Sequence, residues 1–544
     1  MLIKAFNKNR EIICGFLFIL FINILFSWPL LSAGFFNTDD GNLMLIRAGA
    51  FFKSFSDFHI PVRIADNLNY GYGYPIFNFF YPGFFYLSEF FHLLGFGLQA
   101  SVKISIFTLG LIGSVGIYLL SSKFSKNSLI SITVTTFYIF APYKIIDLYK
   151  RGSFGEIFVF AFVPFITLGI IGYLQNKRKL SFVSSVVASV MVIIGHNTLA
   201  LILLPAAYLA GFIFTNWSYK NILALIKIFL LSLLVSASFW VPALFERIYT
   251  LQPQILIARY VEHYPDVFSL LIDLPFITHI SSSGEKSYPI STVAIIFSLL
   301  GLIIFFLDHH NKNWRIKFLS AFSLFCISIF FITPISAKIW EIFSIDKLVQ
   351  FPWRFLSLTT FSSTLILILV LTYFKKITNI YLILIIGLTI FLYFPQIQVE
   401  KNNYPDEYYL TNDSTTVNQS ELSTIWFNKE LKSRPNSLIT SPQSVIVENL
   451  SQKTQLISFT IVSDDAAFIT VNKMYYPGWK LFINGSESEI NYQTDGLINF
   501  KIINGRSDVK LEFVDTKVRT VSNVLSILGC LLIIVYFIKL QKKR

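Results

Sequence analysis

Long apolar runs alternate with short polar loops along most of this chain. Crossing a bilayer takes roughly 20 apolar residues. Runs of that kind recur near 12–32, 102–121, 128–146, 153–174, 180–196, 198–214, 222–244, 290–307, 315–333, 356–374, 378–395 and 519–539. Helix is the form expected for each, since it satisfies every backbone N–H and C=O inside the segment. The stretch 396–518 breaks the pattern. It is polar and rich in Asn, Ser and Thr, and its apolar positions recur with period two at 456–462, 467–471 and 498–503. Asn484-Gly485, Asp495-Gly496 and Asn504-Gly505 punctuate these runs. That pattern predicts an antiparallel β-sandwich.

Composition agrees with a membrane protein. The chain is 54% hydrophobic and 14% charged, with mean hydropathy +0.62, whereas soluble domains run near 45–50% apolar and about 25% charged. The net charge of +13, from 44 Lys and Arg against 31 Asp and Glu, admits a nucleic-acid reading. The placement of the basic residues favours a different one. They gather in alternate short loops: Lys123 and Lys126, Lys177 to Lys179, Lys220, Lys312 with Arg315 and Lys317, Lys375-Lys376, and the tail Lys539 to Arg544. Loops of that kind face the cytoplasm, which puts both termini inside. The run 12–32 follows Lys4, Lys8 and Arg10 and reads as a retained signal-anchor helix, because further spans follow it. Cys14, Cys326 and Cys530 lie in apolar stretches, so neither a disulfide framework nor a cysteine metal cluster is expected.

The expected architecture is an α-helical polytopic membrane protein of about 12 spans with a β-rich outer domain. Residues 1–395 form the transmembrane part, 396–518 the β-domain, and 519–544 the final span and basic tail. Residues 76–97 are apolar, yet counting them as a span inverts every later loop. They contain Pro82, Gly83 and Glu89. The expectation is therefore one long outer loop, 33–101, with juxtamembrane helices.

Candidate chemistry sits in the outer loops. Asp39-Asp40-Gly41 follows the first span, and adjacent carboxylates there read as a solvated turn, a metal site or a catalytic base. Arginine is scarce in translocated loops, so Arg47, Arg63, Arg151 and Arg354 call for anionic partners: a phosphate held by the guanidinium fork, or an internal carboxylate such as Glu156. Tyr81 belongs to an aromatic stretch, 70–82, whose rings suit either sugar stacking or interfacial anchoring. His196-Asn197 sits where two short spans meet.

These motifs carry a resemblance. Asp40-Gly41, Gly71-Tyr72-Gly73-Tyr74-Pro75, Arg151-Gly152-Ser153-Phe154-Gly155-Glu156, His196-Asn197 and Phe351-Pro352-Trp353-Arg354-Phe355 together resemble the bacterial membrane family labelled 6-pyruvoyl-tetrahydropterin-synthase-related. Tyr475-Tyr476-Pro477-Gly478-Trp479-Lys480 resembles the end of YfhO-type membrane proteins. Both groups resemble the glycosyltransferase-C superfamily. The resemblance implies sugar transfer from a polyprenyl phosphate to a glycan or other envelope acceptor on the outer face of the bacterial inner membrane. It implies Asp40 as the base, and Arg151, Glu156 and Arg354 as donor contacts. A divalent metal on Asp39 and Asp40 is the one cofactor it leaves open, because Asp39 and Met44 stand where relatives carry His. No nucleic-acid partner is expected. Two other readings remain: a flippase or transporter of a lipid-linked glycan, and a non-catalytic scaffold.

Overall fold

The computed structural model describes every residue except 1, 216–217, 256–258, 272–287, 375, 418–419 and 542–544. Lys375 and the end of the basic tail, both read above as inside charge, lie outside the described residues. All twelve apolar runs contain helix. Six helices are long and apolar enough to cross a membrane: Leu98–Ser121, Phe154–Asn176, Lys312–Ile332, Pro352–Tyr373, Asn379–Gln396 and Lys517–Ile538. Two further runs are bent pairs, Ser128–Ile139 with Pro142–Arg151 at 45° and Tyr219–Val235 with Ala237–Tyr249 at 73°. The other four, Ile13–Phe26, Lys179–Gly195, Asn197–Ile213 and Thr292–Leu307, are shorter. Among the described residues, six to eight spans therefore meet the length requirement, against twelve expected. Hydropathy sees the apolar run but not the break inside it, such as the one at Ala141-Pro142, where proline cannot continue the hydrogen-bond ladder.

Helix Phe154–Asn176 is central. It packs on Leu98–Ser121, Lys179–Gly195 and Asn197–Ile213. Small residues let the backbones close: a Cβ on Gly169 would fall 2.8 Å from Ser181 O, and one on Gly113 would fall 3.2 Å from Ala161 Cα. Close contact of this kind is what drives helix association in lipid.

The polar stretch folds into strands, as its alternation requires. Strand β1 (Phe35–Phe36) comes from the first loop; the polar stretch supplies β2 (Lys401–Asn402), β3 (Ile439–Thr440), β4 (Ile446–Lys453), β5 (Leu456–Ser463), β6 (Ala467–Met474), β7 (Trp479–Ile483), β8 (Ser486–Ser488), β9 (Leu497–Ile502) and β10 (Gly505–Phe513). A five-stranded antiparallel sheet runs β4-β5-β10-β7-β8, and a three-stranded one runs β3-β6-β9. Each buries one face: Ile457, Phe459, Ile461, Val509 and Leu511 in the first, Ile469, Val471, Ile498, Phe500 and Ile502 in the second. The Asn484-Gly485 turn joining β7 to β8 has positive φ at both residues, 50° and 81°, which is the tight hairpin that Asn-Gly favours.

This domain clasps the 33–101 segment. Strand β1 pairs with β2, Asp57 accepts hydrogen bonds from Thr454, and Asp66 pairs with Lys473 at 2.7 Å. Beyond the apolar stretch, Gln99 bonds Asp406 and the carbonyl of Tyr404. Both flanks of 76–97 therefore contact the 401–454 region. That stretch holds helices Ile76–Phe79 and Gly83–Leu93, and 11 residues rise only about 16 Å against a core of about 30 Å. A periplasmic-activity reporter fused at Gln99 should be active; cytoplasmic-only activity would reverse the sidedness.

Candidate functional site

The segment 142–156 ends one bent span and begins the central helix, and it carries a buried ionic knot. Arg151 Nη1 donates to Asp147 Oδ1 at 2.5 Å and to Glu156 Oε1 at 3.0 Å. The Tyr143 hydroxyl donates to Glu156 Oε2 at 2.6 Å. From other helices, two more groups approach Glu156 Oε1: Arg354 Nε at 3.5 Å, and His196 Nε2 at 3.7 Å from the same oxygen. A second nitrogen of Arg354 donates to Val349 O and Gln350 Oε1, both at 2.8 Å, and to Thr198 Oγ1 at 3.2 Å. The Leu199 N–H donates to His196 Nδ1, which leaves the His196 proton on Nε2, facing Glu156. Two arginines thus meet two buried carboxylates. The knot is electrically balanced.

The Asp39-Asp40 loop rests on this knot through its backbone. Asp40 N–H donates to Arg151 O at 2.7 Å, and Asp39 N–H to Lys150 O at 3.0 Å. Gly152 permits the approach: its φ is +75°, and a Cβ there would meet Gly41 N at 2.6 Å. Asp40 then caps helix Gly41–Ser56. Its own carboxylate is exposed, and among the described residues no hydrogen bond or ion pair engages it. Arg47 follows seven residues later, two turns along the same face and about 10 Å away. Its guanidinium is buried over the Phe80 ring at 4.3 Å and is held by the Thr416 hydroxyl at 3.1 Å, the Thr416 carbonyl and Met44 Sδ. Among the described residues no carboxylate pairs with it.

Tyr81 joins the two halves. Its ring lies 4.6 Å from that of His196, and its hydroxyl feels Arg47, Asp40, Glu156 and Arg354. Burial raises its pKa, keeping the phenol protonated. Asn197, beside His196, donates to Phe79 O at 3.3 Å. The structure therefore gathers Asp40, Arg47, Tyr81, Arg151, Glu156, His196, Asn197 and Arg354. Tyr143, Asp147, Gln350 and Thr416 belong with them and escaped the sequence reading. Asp147 stands four residues before Arg151, a spacing that suits an ion pair; Tyr143 lies inside the apolar run 128–146 and Thr416 carried no signal.

Asp39 and Asp40 find no third His, Cys, Asp or Glu among the described residues with which to cage a metal. A cation there would complete its shell with water and a substrate phosphate, as Mg²⁺ commonly does. Met44, 1% exposed, packs its sulfur on Arg47 instead.

Arg63 stands apart from this group. It donates to Ser238 O at 2.8 Å, to Asn523 Oδ1 at 3.1 Å and to Asn78 Oδ1 at 3.3 Å. Asn78 and Tyr476 both donate to Glu246 Oε2 at 2.9 Å, and so does Arg519 Nε. This second cluster explains the Tyr475–Lys480 motif. Tyr476 supplies the hydroxyl, and a Cβ on Gly478, whose φ is +126°, would stand 2.9 Å from Arg519 Nη1. His59 lies beside it, with its pKa lowered from 6.5 to about 3 by burial first and then by Arg63 and Arg519. A lowered folded pKa means that the unfolded chain binds the proton more readily. Stability is then full above pH 6.5 and falls as pH drops toward 3. Between pH 6.5 and 5 the loss is about 2 kcal/mol. Melting curves of the detergent-solubilised protein should show this slope, and His59→Gln should flatten it.

No protein-family model matches the chain, and no curated protein sequence matches it. Neither family name that the motifs resemble therefore gains support from sequence comparison. Similar solved structures include arabinofuranosyltransferase AftD from Mycobacteria, with 12% identity and TM-score 0.43 over 71% of this chain and 28% of that one. The apo oligosaccharyltransferase of Archaeoglobus fulgidus gives 12% identity and TM-score 0.44 over 77% and 61%. AglB of the same organism, with an inhibitory peptide and a dolichol-phosphate, gives 11% and 0.44 over 78% and 62%. This chain thus spans between 28% and 62% of the length of these three proteins.

Proposed function

We propose that this protein is a glycosyltransferase of the bacterial cytoplasmic membrane, moving a sugar from a polyprenyl phosphate to an envelope acceptor on the outer face. One observation carries the reading. Among the described residues Asp40 is an unpaired carboxylate and Arg47 a buried guanidinium without a carboxylate; they occupy one face of the same helix, with Tyr81 in electrostatic reach of both.

The chemistry follows from that pair. Asp40 takes the proton of the acceptor hydroxyl as its oxygen attacks the anomeric carbon. The bond from that carbon to the phosphate oxygen breaks, and the electron pair leaves with the lipid phosphate. Arg47 stabilises the charge that develops there. Arg151 and Arg354, already balanced by Asp147 and Glu156, shape the cleft and offer further N–H groups rather than net charge.

A transporter reading has one feature in its favour, the two bent spans, since broken helices line many transport paths. Proteoliposomes separate the two readings. With a polyprenyl-phosphate sugar and an external acceptor, a transferase releases free polyprenyl phosphate in step with glycosylated acceptor. Movement of intact donor across the bilayer without that release would replace the transferase reading with the transporter.

A further inference from the structure

The β-domain carries a groove of about 600 Å³ on the outward face of its five-stranded sheet, within the size range of small-ligand sites. Ser458 and Thr460 of β5 and Asp508 and Lys510 of β10 form its floor; Asn449 borders one side, Phe482 and Gly485 the other. The sequence makes this surface concave. Strand β4 shifts register between Glu448 and Ser451, and Asn449 there has φ +53°, while the Asn484-Gly485 turn raises the opposite edge. Three strand spacings separate β4 from β7, about 14 Å.

The lining selects its occupant. Alternation sends Ile457, Phe459, Val509 and Leu511 toward the core, and the groove combines apolar surface from Leu456, Phe459, Phe482 and Val509 with the polar groups of Ser458, Thr460, Asp508 and Lys510. Lys510 pairs with Glu512 and Arg506 with Glu448, each at 3.0 Å. Asp508 accepts the Thr460 hydroxyl through Oδ1 at 2.8 Å, which leaves its other oxygen for a ligand. The unpaired charge in the groove is thus a carboxylate, which repels lipid phosphate and acidic polymers. Phe482 is half-buried beneath the Lys510 ammonium and still presents ring surface to the groove. An aromatic face takes the C–H side of a sugar ring, and a carboxylate beside it accepts from neighbouring hydroxyls.

We propose that this groove binds a neutral glycan chain. Its role as the acceptor subsite rests on the transferase reading; its binding does not. One end of the groove, at Leu456, adjoins Thr454 and Gln455, which bond Asp57 in the 33–101 segment. A bound chain is therefore anchored to the segment that carries Asp40.

The test uses the full-length protein in detergent and an array of short linear glucan, mannan, galactan and arabinan oligosaccharides, with anionic polysaccharides and a phospholipid vesicle alongside. A neutral oligosaccharide should bind. Phe482→Ala and Asp508→Asn should each weaken that binding about tenfold, with melting temperatures unchanged, and Phe482→Trp should retain it. Absence of any neutral binder, binding of anionic probes alone, or binding indifferent to both substitutions overturns the groove. Asp40→Asn should bind glycan as the native protein does. If binding is intact but no donor sugar is ever transferred, the transferase reading falls and the groove stands.

Discussion

Asp40→Asn should lower sugar transfer in proteoliposomes by about 10³-fold, the usual range for removing a general base, while leaving the melting temperature where it is. Both halves of that expectation come from the geometry. The amide cannot take a proton, yet it keeps the shape of the carboxylate. The contact that seats the loop runs from the Asp40 backbone N–H to Arg151 O and survives the change. The side chain is exposed and unpaired, so no native interaction is lost. Asp39→Asn, one residue away, should cost far less, because Asp40, not Asp39, is the N-cap of the helix that carries Arg47. Arg47→Lys should fall between them, about 10- to 100-fold, since a point charge replaces a fork. An Asp40→Asn protein that retains full transfer would remove the base and the mechanism with it.

The sequence disclosed the two kinds of structure in this chain but not the way they interlock. Period-two alternation located β5, β6 and β9, because the alternating apolar positions of each strand turn into the core. Loop charge argued against a span at 76–97, and both of its flanks contact the β-domain segment. Span lengths were less legible. A run such as 128–146 is apolar throughout, yet its helix stops before Pro142 and resumes at 45°. At the site, the ion-pairing residues were visible as types, and the choice of partner was left open. From sequence, Arg151 and Arg354 alike admitted a lipid phosphate or an internal carboxylate such as Glu156. Only the fold shows that Glu156, five residues after the first and on a different helix from the second, receives both. Arg63 read the same way and turned to the Glu246 cluster instead, because Asn78, Tyr476 and Arg519 come from segments far apart in the chain.

Glu156→Gln should cost about 3–5 kcal/mol, the penalty for leaving buried guanidinium without its partner, and lower the melting temperature by about 3–4 °C. Glu156 is wholly buried and receives Arg151, Arg354, Tyr143 and His196; glutamine accepts through one oxygen only and carries no charge. Asp147 alone would then face two arginines. If that imbalance is the cause, removing a cation should mend it. The double variant Arg151→Met with Glu156→Gln should recover at least half the lost stability, since Arg354 and Asp147 again cancel. The outcome also bears on the choice of phosphate ligand. Were Glu156→Gln to melt with the native protein, the knot would not be neutralising its arginines. Arg151 and Arg354 would then compete with Arg47 for the donor phosphate, and their single substitutions, not that of Arg47, would raise the KM for the lipid donor most.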